Sequence, residues 1–146
     1  MNNFFIDPFE IAKKEGITVI PSKHLDVNGQ IHKDPKTEEV IIEYDISMHP
    51  NRQRFTLAHE LGHYFLGHLD DGNIHFRDPA QNFNLDNYDP YESEANKFAA
   101  NLLMPKEKID FLLHDMKMTT IEGIAQALQV SPAAITYRLK NLGYIS

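Results

Sequence analysis

The sequence predicts an α+β fold in which a small antiparallel β-sheet precedes a set of helices. Three observations predict it. Two β-branched runs, Ile17–Ile20 and Val40–Tyr44, lie in the first third of the chain. Apolar residues then recur at spacings of three and four from about Asn51 to Leu69. Beyond residue 89, Pro, Ser and Gly divide the chain into helix-length pieces.

Each element has its own local cause. Asp7-Pro8 is an N-cap followed by Pro at the first helical position, and Gly16 is a stop, so a short helix opens the chain. Ile17–Ile20 is a strand ended by Pro21. Val27–Ile31 carries an Asn-Gly hairpin signal, and Val40–Tyr44 is the next strand. In the helix from about Asn51, Phe55, Ala58, Gly62, Phe65 and Leu66 form the apolar stripe. Residues 69–90 are rich in Asp, Asn, Gly and Pro and read as one long loop, a feature that is usually functional or mobile. Asp89-Pro90 starts a helix that runs to about Met104. Helices follow at about Lys106–Asp115 and Ile121–Leu128, and Ser131 caps a last one ending near Gly143. The division expected is a core over residues 1–116 and a helical pair over 117–146 packed on it.

Composition removes several classes of function. A chain of 146 residues, 42% hydrophobic, can bury one core without disulfides. It has no Cys, which excludes disulfide scaffolds, Cys-ligated zinc, iron–sulfur clusters and Cys nucleophiles. Fourteen Lys and Arg against 21 Asp and Glu give a net charge of −7. That balance argues against phosphate-driven nucleic-acid binding and against a polybasic membrane anchor. No apolar run approaches the roughly 18 residues of a membrane span. The N-terminal segment lacks a basic stretch followed by an apolar one, so no signal peptide and a cytoplasmic location are expected. Eight His in an acidic chain suit a metal site built from imidazole and carboxylate.

Such a site is written into Ala58-His59-Glu60-Leu61-Gly62-His63, an H-E-x-x-H on a predicted helix. Helical positions i and i+4 are about 40° apart, so His59 and His63 point the same way and can bind one Zn²⁺. Glu60, at the edge of that face, reaches a water on the metal and serves as general base. Metzincins place a third His six residues after the second. Leu69 stands there, and His68 misses the register, so His68 reads as a helix-end His near terminal carbonyls. The third ligand is better sought in Glu92-Ser93-Glu94. Ala95, Phe98, Ala99, Leu102 and Leu103 define a buried stripe; Glu92 falls beside it and Glu94 on the solvent side. Glu92 also fits a capping box with Asp89. The two upstream His favour the ligand, and small Ala95 and Ala99 allow the two helices to pack closely.

Arg54–His63, followed by Glu92–Pro105, resembles the ImmA/IrrE family of metallopeptidases. The second block follows the pattern E-x-x-A-N-x-F-A-x-x-L-L-M-P almost throughout, and the resemblance extends over about residues 5–145. It implies a zincin-like fold with a gluzincin-type centre. His59, His63 and Glu92 would bind one Zn²⁺, and Glu60 would be the general base. Asn96 would hydrogen-bond a zinc-ligating His. The family cleaves helix-turn-helix repressors, commonly encoded alongside, and so derepresses mobile-element or stress genes. The longer radiation-response members carry an additional C-terminal sensory domain that a chain of this length is expected to lack.

Some residues stay open. Thr119–Gly143 has a helix-turn-helix pattern, but Met118–Ser146 holds only Arg138 and Lys140 against Glu122. That is thin for phosphate contacts, so direct nucleic-acid binding is not expected. Tyr88, Tyr91 and His75 are candidates for the donor that steadies an oxyanion. Asp70 and Asp71 read as solvated loop carboxylates, and Arg54 and Phe55 as packing residues. The expected function is zinc-dependent cleavage of a repressor. The alternatives are a non-cleaving partner or toxin component that binds a helix-turn-helix repressor or antitoxin, and a DNA-binding regulator using residues 119–143.

Overall fold

The structure is a computed structural model that describes residues 4–23, 25–70, 75–78 and 89–146, excepting the side chains of His75, Arg77 and Asp78. It is a mixed α+β chain with a four-stranded sheet and six α-helices among the described residues. By internal contacts it divides into two compact units. One is Asp7–Ala99; the other joins Ala100–Ser146 to the segment ending at Ile6. Among the described residues, no helix is long and apolar enough to cross a membrane.

In the first unit, α1 (Pro8–Lys14) starts where the Asp7 side chain accepts the Phe9 N–H and Pro8 fills the first turn. Strands β1 (Thr18–Ser22), β2 (Gly29–Lys33) and β3 (Val40–Asp45) follow. The sheet is mixed, not antiparallel as expected. Its order is β1-β3-β2-β4, and β1 pairs parallel with β3, Thr18 opposite Ile41. The reason is topological: β3 reverses from β2 and returns between β2 and β1, so it runs in the direction of β1.

The hairpin also lies elsewhere than the Asn-Gly signal suggests. It joins Lys33 to Val40, and its turn is built on Asp34, whose Oδ1 accepts the N–H groups of Lys36 (2.8 Å) and Thr37 (3.1 Å). Those two bonds hold the Asp34 carboxyl below its ordinary range. Gly29 is the first residue of β2 instead. The expected loop 69–90 contains a strand, β4 (His75–Asp78), which pairs with β2 and sets Phe76 opposite Ile31.

Helix α2 (Pro50–Phe65) lies on this sheet. Its N-cap is His49, whose Nδ1 accepts the Asn51 N–H at 3.0 Å. The stripe expected from Phe55 to Leu66 is buried only in part, at Ala58 and Gly62. Phe65 and Leu66 are exposed, whereas every residue from Thr56 to His63 is buried. A helix covered all round shows no single stripe. Its apolar contacts, Leu57 and Leu61, join Ala12, Ile17, Ile31, Ile42, Leu69 and Phe76 in one core. The helix α3 (Pro90–Leu103) begins where Asp89 Oδ1 accepts the Tyr91 N–H at 2.9 Å.

In the second unit, α4 (Lys106–Asp110) continues as one π-helical turn, Phe111–Asp115, and is followed by α5 (Ile121–Leu128) and α6 (Pro132–Asn141). Thr120 and Ser131 cap α5 and α6 through their hydroxyls. Ile109, Leu112, Ile124, Leu128, Ile135 and Leu139 are buried here. Arg138 Nε donates to the Met104 carbonyl at 3.0 Å, so one of the two cations of the helical pair is engaged within the unit.

Candidate metal centre

The site grows from α2. His59 and His63, one turn apart, present their rings together, with centroids 4.9 Å apart and planes at 85°. Both are buried, and so is Glu60 between them. One ligating atom from each of His59, Glu60 and His63 lies within 4.8 Å of the others, a group able to hold a metal ion.

Helix α3 brings a fourth side chain. Glu92 Oε2 is 2.8 Å from His59 Nε2, and Glu92 Oε1 is 3.1 Å from His63 Nε2. Glu92 is buried, whereas the Glu94 side chain is 56% exposed, which separates the two carboxylates of the motif. Burial alone pushes the Glu92 carboxyl up, but the imidazoles of His59 and His63 outweigh it and hold it at about 2. Burial likewise holds the His63 imidazole below its ordinary range.

The far side of each ring is also engaged. Asn96 Oδ1 lies 2.7 Å from His59 Nδ1. A carbonyl oxygen only accepts, so His59 Nδ1 carries a proton, and in the neutral ring Nε2 is the nitrogen left with a lone pair. On the other ring, His63 Nδ1 lies 2.9 Å from His68 Nδ1, and His68 Nε2 lies 2.7 Å from Glu94 Oε1. Phe76 stacks on His63 at 4.0 Å and 11°.

These donors fit a divalent cation. With both imidazoles neutral, lone pairs of nitrogen and carboxylate oxygen converge in a buried space, an arrangement that is costly by itself and that a bound cation relieves. His63 Nε2 has no hydrogen-bond partner among the described residues, although Glu92 is within ion-pair range. Two imidazoles and carboxylates are the donor set of a transition metal or zinc rather than of Mg²⁺ or Ca²⁺.

The sheet shapes the Glu60 side of the pocket. A Cβ at position 29 would lie 2.9 Å from Glu60 Oε2 and 2.5 Å from Thr56 Cγ2. Gly29 therefore lets α2 and the Glu60 carboxylate lie directly against β2. The residue that suggested a turn is required for its missing side chain.

Of the remaining candidates, Tyr91 packs its ring on His68 at 4.5 Å and near Phe76 at 5.8 Å. His75 is placed only by its backbone, opposite His32. Tyr88 and Asp71 lie outside the described residues. Asp70 is a solvated carboxylate, its side chain 74% exposed, with Lys33 at 3.9 Å. Arg54 is buried on α2.

His68 is the residue that sequence reasoning misplaced. It does not serve the helix-end carbonyls with its ring. Its backbone does that: His68 N–H donates to the His63 carbonyl at 3.0 Å and Gly67 N–H to that of Tyr64 at 3.3 Å. This is a Schellman ending with Gly67 in the left-handed region, φ +79°. It folds residue 68 back over residue 63, as such endings do for their two flanking side chains. The signal was in the sequence, as a Gly four residues after the second His with another His behind it.

Residues 12–140 match the IrrE N-terminal-like domain. The chain belongs to the ImmA/IrrE family of metallopeptidases. It is 27% identical to the metallopeptidase ImmA of Bacillus subtilis (strain 168) over 143 residues, which is 94% of this chain and 78% of that protein. It is 31% identical to an immunity region protein of Bacillus phage phi105, over 93% of this chain and 80% of the relative. Identity to the radiation response metalloprotease IrrE of Deinococcus deserti is 35%, over 73% of this chain and 37% of that longer protein.

Proposed function

We propose that this chain is a zinc-dependent endopeptidase that cleaves a helix-turn-helix repressor at a specific site. The observation that carries the reading is the convergence of His59 Nε2, His63 Nε2 and the Glu92 carboxylate beside Glu60 in one buried space. His59, His63 and Glu92 would hold the zinc. When bound, it would supply the Lewis acidity that polarises a carbonyl and makes water a nucleophile near neutral pH.

The protein's own groups perform the proton transfers. Glu60 takes a proton from the attacking water as its oxygen bonds to the carbonyl carbon. The same carboxyl then gives that proton to the departing amine as the C–N bond breaks. Asn96 fixes the His59 ring through Nδ1. The repressor as substrate is supported by the resemblance to the family and by a relative named for a phage immunity region.

The test compares wild type with Glu60→Gln. Metal content is measured by mass spectrometry, and each protein is incubated with the helix-turn-helix protein encoded beside it. Wild type is expected to hold about one zinc per chain and to give two repressor fragments. Glu60→Gln should keep the zinc and lose the cleavage. Loss of repression in cells without any cleaved repressor would instead establish the non-cleaving partner.

A further inference from the structure

Glu94 and His68 lie outside the set of residues that hold the metal in the reading above, yet they complete a chain of contacts to it. Glu94 Oε1 is 2.7 Å from His68 Nε2, and His68 Nδ1 is 2.9 Å from His63 Nδ1. An ionised carboxylate only accepts, so His68 Nε2 donates. In a neutral imidazole the other nitrogen is then an acceptor, and His63 Nδ1 must be the donor to it. With both rings neutral, the His63 proton is thereby confined to Nδ1.

We propose that Glu94 and His68 are positioning residues that hold His63 in the one tautomer, Nδ1–H with a bare Nε2, able to ligate a metal. The proposal rests on the reading of His63 as a ligand. Three features of the fold hold the chain of contacts in place. Gly67, with φ +79°, folds His68 back on His63. Helix α3 sets Glu94 and Glu92 two residues apart, one against His68 and the other against the metal-facing nitrogens. Phe76 and Tyr91 pack on the two rings, at 4.0 Å from His63 and 4.5 Å from His68. His68 itself is 4% exposed, so water does not compete freely for its Nδ1. The two ligand rings are thus oriented by different means: His59 by the amide of Asn96, and His63 by a second imidazole that a carboxylate orients in turn.

The test uses ¹⁵N spectra of the histidine side chains in the full chain, with zinc and without. The expected state is a proton on Nδ1 of His63 and on Nε2 of His68. It needs no variant and no catalysis. A proton on His68 Nδ1 would overturn the proposal. Zinc affinity is then measured by competition with a chromophoric chelator. His68→Leu should bind zinc roughly 10–100-fold more weakly, the range typical when the partner of a ligating His is removed. His68→Asn places an amide oxygen near the former Nδ1 and should recover most of the loss. Glu94→Ala should weaken binding less, and Glu94→Gln, which keeps an acceptor, less again. The d–d spectrum of the cobalt-loaded protein should change with His68→Leu and return with His68→Asn. Equal affinity and equal spectra in wild type and His68→Leu would overturn the positioning role. If wild type takes up no zinc, the metal reading falls instead, and the two tautomers of the metal-free protein still decide whether the relay exists.

Discussion

Gly62 of α2 and Ala95 of α3 meet at backbone distance: a Cβ on Gly62 would stand 3.0 Å from Ala95 Cα and 3.1 Å from the Ala95 carbonyl oxygen. That crossing sets the metal centre, because His63 follows Gly62 and Glu92 lies one turn before Ala95. Gly62→Ala has two opposed effects. Helix propensity favours Ala by about 1 kcal/mol. Overpacking against backbone atoms that cannot rotate away costs about 1–3 kcal/mol. The cost dominates, and the helices must part to accommodate it. A lower melting temperature and weaker zinc binding are expected, by thermal unfolding and chelator competition. A more stable variant with unaltered affinity would show that the crossing does not fix the site.

Gly29→Ala acts on the other wall. The new Cβ would meet Thr56 Cγ2 at 2.5 Å and Glu60 Oε2 at 2.9 Å, so α2 or the Glu60 carboxylate must shift. His59 and His63 are not among these contacts. Peptidase turnover should therefore fall by about tenfold or more, as misplacement of a catalytic group by an ångström does. Zinc stoichiometry should hold at one per chain. Turnover equal to wild type on the same substrate would count against Glu60 as the base.

Local chemistry was legible in the sequence, and long-range geometry was not. Asp7-Pro8, Asp89-Pro90 and Ser131 marked helix starts because capping needs only neighbouring residues. The H-E-x-x-H lay on a helix because four residues make a turn whatever surrounds it. The parallel pairing of β1 with β3 was hidden, since it depends on which strand β3 reverses from. Strand β4 was hidden among turn-forming residues, because its pairing with β2 joins segments some 45 residues apart in sequence. Gly29 misled for a different reason. Glycine is required both where φ is positive and where a Cβ would collide, and sequence does not separate these causes. His68 and Glu94 were individually ordinary. Their meaning comes from a helix ending that turns His68 toward Glu94 of α3.

Asn96 offers a test of ring orientation on the His59 side. Its Oδ1 is 2.7 Å from His59 Nδ1, and Asn96 is 1% exposed, so no water replaces it readily. Asn96→Ala should weaken zinc binding by roughly 10–100-fold. Asn96→Asp keeps an acceptor at that place and should bind within a fewfold of wild type. Chelator competition on both variants reads the difference. Equal affinity for Asn96→Ala would mean that packing alone orients His59.

The second unit should carry its own acid sensitivity, separate from the metal. Asp110 accepts from the Tyr144 hydroxyl and from Lys106 Nζ, the latter at 2.9 Å. The Tyr144 bond first, and Lys106 next, hold the Asp110 carboxyl below its ordinary value of 3.8. A carboxyl whose pKa is lower in the folded state stabilises the fold above its unfolded pKa and loses that contribution as pH falls through the folded value. Replacing it with Asp110→Asn removes the charge at every pH. The gap in melting temperature between wild type and variant should therefore be constant above about pH 5 and should close as pH falls below about 4. Both bonds lie at the surface, so the gap should also be small and should shrink with added salt. Thermal unfolding of the two proteins from pH 3 to pH 7 measures it. A gap that widens toward acid would mean that the folded state raises the Asp110 pKa, and that the Tyr144 and Lys106 bonds do not hold in solution.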